Sequence, residues 1–138
     1  MNGRRLVSTG SPFEKAAGYS RAVVQETAEG TWVFVAGTTG YDYATMEMPD
    51  DVGAQAANCL ATIEAALAEG GLAMGDVVRA NYIVTDAAHG EAVFAQTGRV
   101  FGDIRPAATM IVAGLIKPEM KVEIEVTAFR PRATPGSG

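Results

Sequence analysis

Three segments of this chain, residues 31–36, 77–85 and 109–112, carry apolar residues at neighbouring positions. Successive side chains of a strand point to opposite faces, so strands built from these segments are apolar on both sides. A sheet made of them needs cover on both faces. Two helices are available for one face. In the first, Val52, Ala56, Leu60, Ile63 and Leu67 recur at the three- and four-residue steps of a single helical stripe. Asp50-Asp51 supplies its N-cap, and Gly70-Gly71 ends it. The second spans residues 88–101, with Ala92, Val93, Val100 and Phe101 facing inward. Gly98 inside it costs about 1 kcal/mol relative to alanine. No segment remains for the other face, so a further copy of the chain is the expected cover.

Residues 22–26 and 31–36 flank the Glu29-Gly30 turn and read as a hairpin. Residues 1–18 read as loop, with a short strand near Leu6. Gly37-Thr38-Thr39-Gly40 interrupts the strand pattern, and residues 41–49 follow as a loop. Pro106 marks a boundary before the strand at 109–112. Residues 122–129 alternate apolar and polar and form the last strand. The order is ββαβαββ, an α+β fold with a mixed sheet and two helices on one face. The 138 residues are one domain's worth, with a core at about 18–130 and a Pro/Gly-rich tail, 131–138, expected to fray.

Composition removes several function classes. The formal charge is −5 and the 11 basic residues are scattered, which argues against a nucleic-acid partner. The single cysteine, Cys59, excludes an intrachain disulfide and fits a reducing, cytoplasmic setting. No apolar run approaches the ~20 residues of a membrane span, and Arg4-Arg5 is not followed by a signal-peptide core. One histidine, His89, and one cysteine leave no metal-ligand spacing. His89 reads as a surface or helix-start residue. The serines at 8, 11, 20 and 137 sit in no nucleophile-bearing turn, and Cys59 lies mid-helix as a small core or half-exposed residue.

Two features carry chemistry, each with two readings. Gly37-Thr38-Thr39-Gly40 is either a strand-to-loop turn or a place where bare backbone holds an anion or a carbonyl oxygen. Glu123 and Glu125 share one strand face. They are either a solvated edge or a carboxylate pair in which one pKa is raised for acid–base work. Thr127 and Phe129 share that face, so it is not purely a wet one.

The runs Asp51-Val52-Gly53-Ala54-Gln55-Ala56 and Gly71-Leu72-Ala73-Met74-Gly75-Asp76-Val77-Val78 resemble the helix-to-strand signature of the Rid (RidA/YjgF) reactive-intermediate deaminase family. Residues 121–128 resemble its final strand, Phe34-Val35-Ala36-Gly37 its second strand, and Gly18-Tyr19-Ser20 its N-terminal tyrosine region. The resemblance implies a chorismate-mutase-like fold and a homotrimer whose sheets line a central barrel, with small-molecule clefts between subunits. It implies hydrolysis of enamines or imines to keto acids and ammonia, without metal or organic cofactor. Carried over, the water-positioning glutamate is Glu123 and the pocket tyrosine and glycine are Tyr19 and Gly37, beside Thr38. Met110 stands where a cysteine is often found, and Ala108 where deaminating members have the arginine that grips the substrate carboxylate. Replacements for that arginine are Arg21, near Tyr19, and Arg105. Arg105 is three residues upstream of Ala108, an offset that points to the opposite strand face, though Pro106 intervenes. The ligand expected is a small carboxylate. The alternative is a non-deaminating homologue whose more apolar cleft takes a neutral metabolite, with ribonuclease activity a weaker third reading.

Overall fold

The computed structural model describes residues 2–133. In chain order its elements are β1 (Arg4–Val7), α1 (Pro12–Ala17), β2 (Ala22–Glu26), β3 (Gly30–Thr39), α2 (Val52–Glu69), β4 (Val77–Val84), α3 (Gly90–Phe101), β5 (Ala107–Val112) and β6 (Val122–Pro131). The strands make one six-stranded sheet in the order β1-β2-β3-β6-β4-β5. Only β4 and β5 run parallel. A parallel pair needs a crossover rather than a tight turn, and α3 supplies it. This is the expected α+β fold with a mixed sheet, and the strand near Leu6 is β1. The expected loop over residues 1–18 is corrected by α1. Its signals are local: Ser11 accepts from the Phe13 N–H at 3.2 Å, Pro12 occupies the first turn, and Gly18 closes it at φ 76°.

α2 forms because its stripe and caps agree. Asp51 accepts from the Ala54 N–H at 2.9 Å, and Ala56, Leu60, Ile63 and Leu67 are buried against β3 and β6. On the sheet beneath, Val33, Val35, Ala80, Tyr82, Val84, Val122, Ile124, Val126 and Ala128 complete the core. The fully buried Gln55 is the polar exception. Its Nε2 donates to Pro49 O (2.8 Å) and Glu119 O (3.0 Å), and its Oε1 accepts from the Lys121 N–H (3.0 Å). Every group it removes from water is thereby paired, and two loops are fastened to one helix. Gly40 permits this close approach, since a Cβ there would stand 2.5 Å from Gln55 Cβ.

The opposite sheet face is open. Leu6, Val23, Phe34 and Thr127 lie in one cross-strand row. Trp32 packs between Phe34 and Phe129, with ring centroids 5.9 and 4.6 Å apart. Leu6 and Phe34 remain exposed, as do Ile111 and Val112 on the edge strand β5.

Of the tail expected over 131–138, residues 131 and 132 are held to the sheet. Pro131 pairs with Gly30, and the Arg132 N–H donates to Glu29 O at 2.8 Å. Residues 134–138 lie outside the described residues. Among the described residues no helix is long and apolar enough to cross a membrane.

Candidate functional site

The interruption expected at Gly37 is a β-bulge inside β3, and the strand continues to Thr39. Val35 pairs with Val126 and Thr38 with Ile124, so three steps on β3 match two on β6. The extra residue keeps both Val35 and Thr38 on the core side. It also brings Thr39 opposite Glu123.

Arg21 holds the bulge. The sequence offers it as a ligand anchor, but it is 1% exposed. Its Nη1 donates to Gly37 O at 2.9 Å and to Thr38 Oγ1 at 2.8 Å, and its Nη2 reaches Tyr19 Oη at 3.4 Å. The guanidinium lies 4.9 Å from the Tyr43 ring centroid and 5.6 Å from that of Tyr19. Its Nε has no partner among the described residues. Thr38 is committed in turn, donating to Ala36 O at 2.9 Å.

Glu123 reaches from β6 to this bulge. A Cβ on Gly37 would stand 2.8 Å from Glu123 Cδ, so glycine is what lets the carboxyl lie there. Burial raises the pKa of Glu123, the neighbouring Glu125 raises it further, and Arg21 opposes both. Glu125 itself is exposed and accepts from Asn81 Nδ2 at 3.0 Å. The carboxylate pair is therefore asymmetric, with one member half buried and one in solvent. Burial likewise raises the Tyr19 phenol, which stays a neutral hydroxyl at pH 7.

A cavity of about 360 Å³ opens on Glu123, Gly37 and Tyr19. Phe13, Ala16 and Ala17 of α1, together with Ile116 and Met120, give it an apolar wall, and Thr39, Tyr43 and Lys117 complete it. The Tyr43 hydroxyl accepts from the Thr39 N–H at 3.3 Å. A broader depression of about 540 Å³ lies on the open face around Leu6, Val23 and Phe34. It is uncovered sheet, whereas the smaller cavity combines a perturbed acid with neutral hydroxyls and apolar walls, the usual make-up of a small-molecule site.

Residues 9–130 match the family model described as Endoribonuclease L-PSP. The 2-iminobutanoate/2-iminopropanoate deaminase of Escherichia coli strain K12 is 30% identical over 114 residues, 78% of this chain and 86% of that protein. The crystal structure of Rv2704 from Mycobacterium tuberculosis, a member of the YjgF/YER057c/UK114 family, superposes with a TM-score of 0.82 at 41% identity, covering 92% of this chain and 99% of that one. The chain belongs to the RidA/YjgF family. An uncharacterized protein of Streptomyces coelicolor, SCO2049, is a further relative, 33% identical over 127 residues that cover 91% of this chain and 92% of it.

Of the residues that the RidA/YjgF resemblance selects, Tyr19, Gly37 and Glu123 line the cavity, while Thr38, expected beside the ligand, is fully buried on the core side with Arg21, because the bulge turns it inward. Arg105, Ala108 and Met110 do not join them within the subunit. Ala108 and Met110 pair with Ala80 and Tyr82, on the helix-covered face and two strands from β6. Met110 packs on the core near Gly90. Arg105 precedes β5 at φ 58°, so the strand parity applied to it in the sequence does not hold. It lines a separate groove of about 440 Å³ with Ala108, Tyr82, Phe94 and Phe101.

Tyr43 and Lys117 were missed in the sequence. Both sit in loops without periodicity, and only the aromatic pair Tyr41 and Tyr43 just after Gly40 hints at the first. Cys59 is fully buried, its Sγ donating to Thr38 O at 3.2 Å. Burial, then the Glu123 charge, push its thiol up, away from nucleophilic use. His89 is half buried at the start of α3. Among the described residues no group of three or more His, Cys, Asp or Glu is placed to hold a metal.

Proposed function

We propose that this chain hydrolyses small enamines and imines in the cavity beside Glu123, releasing a 2-oxo acid and ammonia. The observation that carries the reading is Glu123 itself, half buried against Gly37 with its pKa displaced toward neutrality. A carboxylate whose pKa is raised by burial is a stronger base than a solvated one, and its protonated form can return the proton. The deaminase relative in Escherichia coli supports the choice of substrate.

In a 2-imino carboxylate the carbon of the C=N bond accepts water. Ionised Glu123 removes one proton from that water as its oxygen bonds to carbon and the π pair moves to nitrogen. The proton returns to nitrogen to give a carbinolamine; its hydroxyl proton is then passed to the same nitrogen as C=O forms and the C–N bond breaks, so that ammonia leaves. One water is consumed and no electron changes hands. The hydroxyls of Tyr19 and Tyr43 hold the polar end of the substrate. Arg21 acts through the Gly37 peptide and Tyr19 rather than on the ligand.

The open sheet face is covered, in this reading, by two further copies of the chain in a homotrimer. The groove that holds Arg105 and Ala108 in one copy then closes over the Glu123 cavity of the next. Ala108 makes that lid more apolar than an arginine would, which favours the neutral-metabolite alternative if no turnover is found.

The test is release of 2-oxobutanoate from freshly generated 2-iminobutanoate. The wild-type rate exceeds buffer, and Glu123→Ala lowers it by about 10²- to 10⁴-fold. The rate falls as pH drops through the raised pKa of Glu123, because the protonated acid cannot take the water proton. A wild-type rate equal to buffer rejects the reading.

A further inference from the structure

We propose that Lys117 is the cation that holds the ligand's carboxylate in this cavity. The inference rests on the imine-hydrolysis reading for the identity of the ligand, but not for its test. Its basis is charge. The cavity already contains the acid Glu123. A second carboxylate entering a space of about 360 Å³ comes close enough to repel it strongly unless a positive group intervenes.

Lys117 is the one basic residue that lines the cavity. Other cations are committed elsewhere. Arg21 is buried on Gly37 O and Thr38 Oγ1, Lys121 Nζ donates to Asp50 O at 2.6 Å, and Arg130 pairs with Asp76 at 2.7 Å. Arg105 lies in a separate groove of its own subunit and would meet the cavity only across the proposed trimer interface, which makes it the comparator in the test. The Lys117 ammonium has neither an ion-pair nor a hydrogen-bond partner among the described residues. It lies 5.7 Å from the centroid of the Phe13 ring, on the opposite wall. An aromatic face holds an ammonium without consuming its donors, so three N–H groups stay available to a ligand.

The backbone beneath it is anchored. The Met120 N–H donates to Lys117 O at 3.1 Å, and Gln55 grips Glu119 O and the Lys121 N–H from the helix side. The stem is fixed at its base and free at its tip, which places a charge without filling the cavity. An ammonium is a point charge rather than a planar fork. It therefore orients the carboxylate less strictly than an arginine and tolerates a wider range of short side chains against Ile116 and Met120.

The experiment is calorimetric titration of 2-oxobutanoate, with uncharged butanone as comparator, into wild type, Lys117→Met, Lys117→Arg and Arg105→Met. Lys117 is exposed, so thermal melts of the variants should match wild type. Wild type favours the acid over the ketone by about tenfold or more, the loss typical of one charge-assisted contact. Lys117→Met abolishes that preference, Lys117→Arg retains most of it, and Arg105→Met leaves it intact. A Lys117→Met protein that keeps the preference overturns the inference, as does a wild type that binds neither compound. A preference lost in Arg105→Met instead assigns the anchor to Arg105. Because the readout is binding, a protein without turnover but with a Lys117-dependent preference loses the hydrolysis reading and keeps this one. Unchanged KM in Lys117→Met beside an inactive Glu123→Ala does the reverse.

Discussion

The two faces of β6 do opposite work with alternate residues of one strand. Val122, Ile124, Val126 and Ala128 are buried under α2, while Glu123, Glu125, Thr127 and Phe129 look the other way. The buried set is interchangeable oil, stabilised by the area it removes from water. The outward set is individually specific: one acid lies on a bulge, its neighbour in solvent, and Phe129 stacks on Trp32. The difference teaches how a small subunit keeps a reactive group in place. Glu123 is bracketed along the chain by two fully buried residues, Val122 and Ile124, so its backbone inherits the rigidity of the core.

The largest effect expected from breaking this arrangement is on the buried side. Ile124→Ala should cost about 2–5 kcal/mol in denaturant unfolding, as truncation in a close-packed core does. Glu123→Gln, one residue away, should do the reverse at neutral pH. A folded-state pKa raised above the unfolded value means that ionised Glu123 opposes folding. That cost is full above the raised pKa and absent below the ordinary glutamate value. The glutamine variant should therefore melt higher than wild type at pH 7 and level with it near the acid end. An equal loss of stability in both variants would mean that the two faces are not energetically distinct.

Gly37→Ala comes next and tests the bulge. Its new Cβ meets only the mobile end of Glu123, so the fold should survive. The displaced carboxyl should lower turnover by about a hundredfold, the scale associated with a misplacement of about 1 Å. Undiminished activity would remove Gly37 from the site. The smallest effect on the subunit itself is expected from Phe34→Ser. Phe34 is 46% exposed, so the change should alter intrinsic stability by about 1 kcal/mol or less. It should instead raise the concentration needed for self-association, read by sedimentation. A wild-type protein that sediments as a monomer at micromolar concentration would leave the open face without its proposed cover.

Much of the fold was legible because periodicity reports burial. The α2 stripe, the β2–β3 hairpin and the alternation of β6 each repeat often enough to be read locally. α1 was not, since six residues are under two turns and show no repeat. The site was half legible. Glu123 and Gly37 carry the family resemblance, but Arg21 was read as a ligand anchor and not as a buried support, because its partners lie 16 and 17 residues away. Lys117 belongs to a loop whose position depends on Gln55, 62 residues earlier in the chain, and nothing in its neighbourhood announces that. Arg105 was judged by strand parity, although β5 starts only at Ala107.

The extra residue in β3 makes length, as well as composition, part of the machinery. Deleting one residue between Val35 and Thr38 would leave a regular strand with Thr38 still facing the core opposite Ile124, but it would remove the bulged Gly37 peptide that accepts from Arg21 and makes room for Glu123. The stretch from 41 to 49 carries no such alternation to upset. Its length is held by contacts instead, since Tyr41 donates to Glu119 Oε2 at 3.1 Å and Tyr43 lines the cavity.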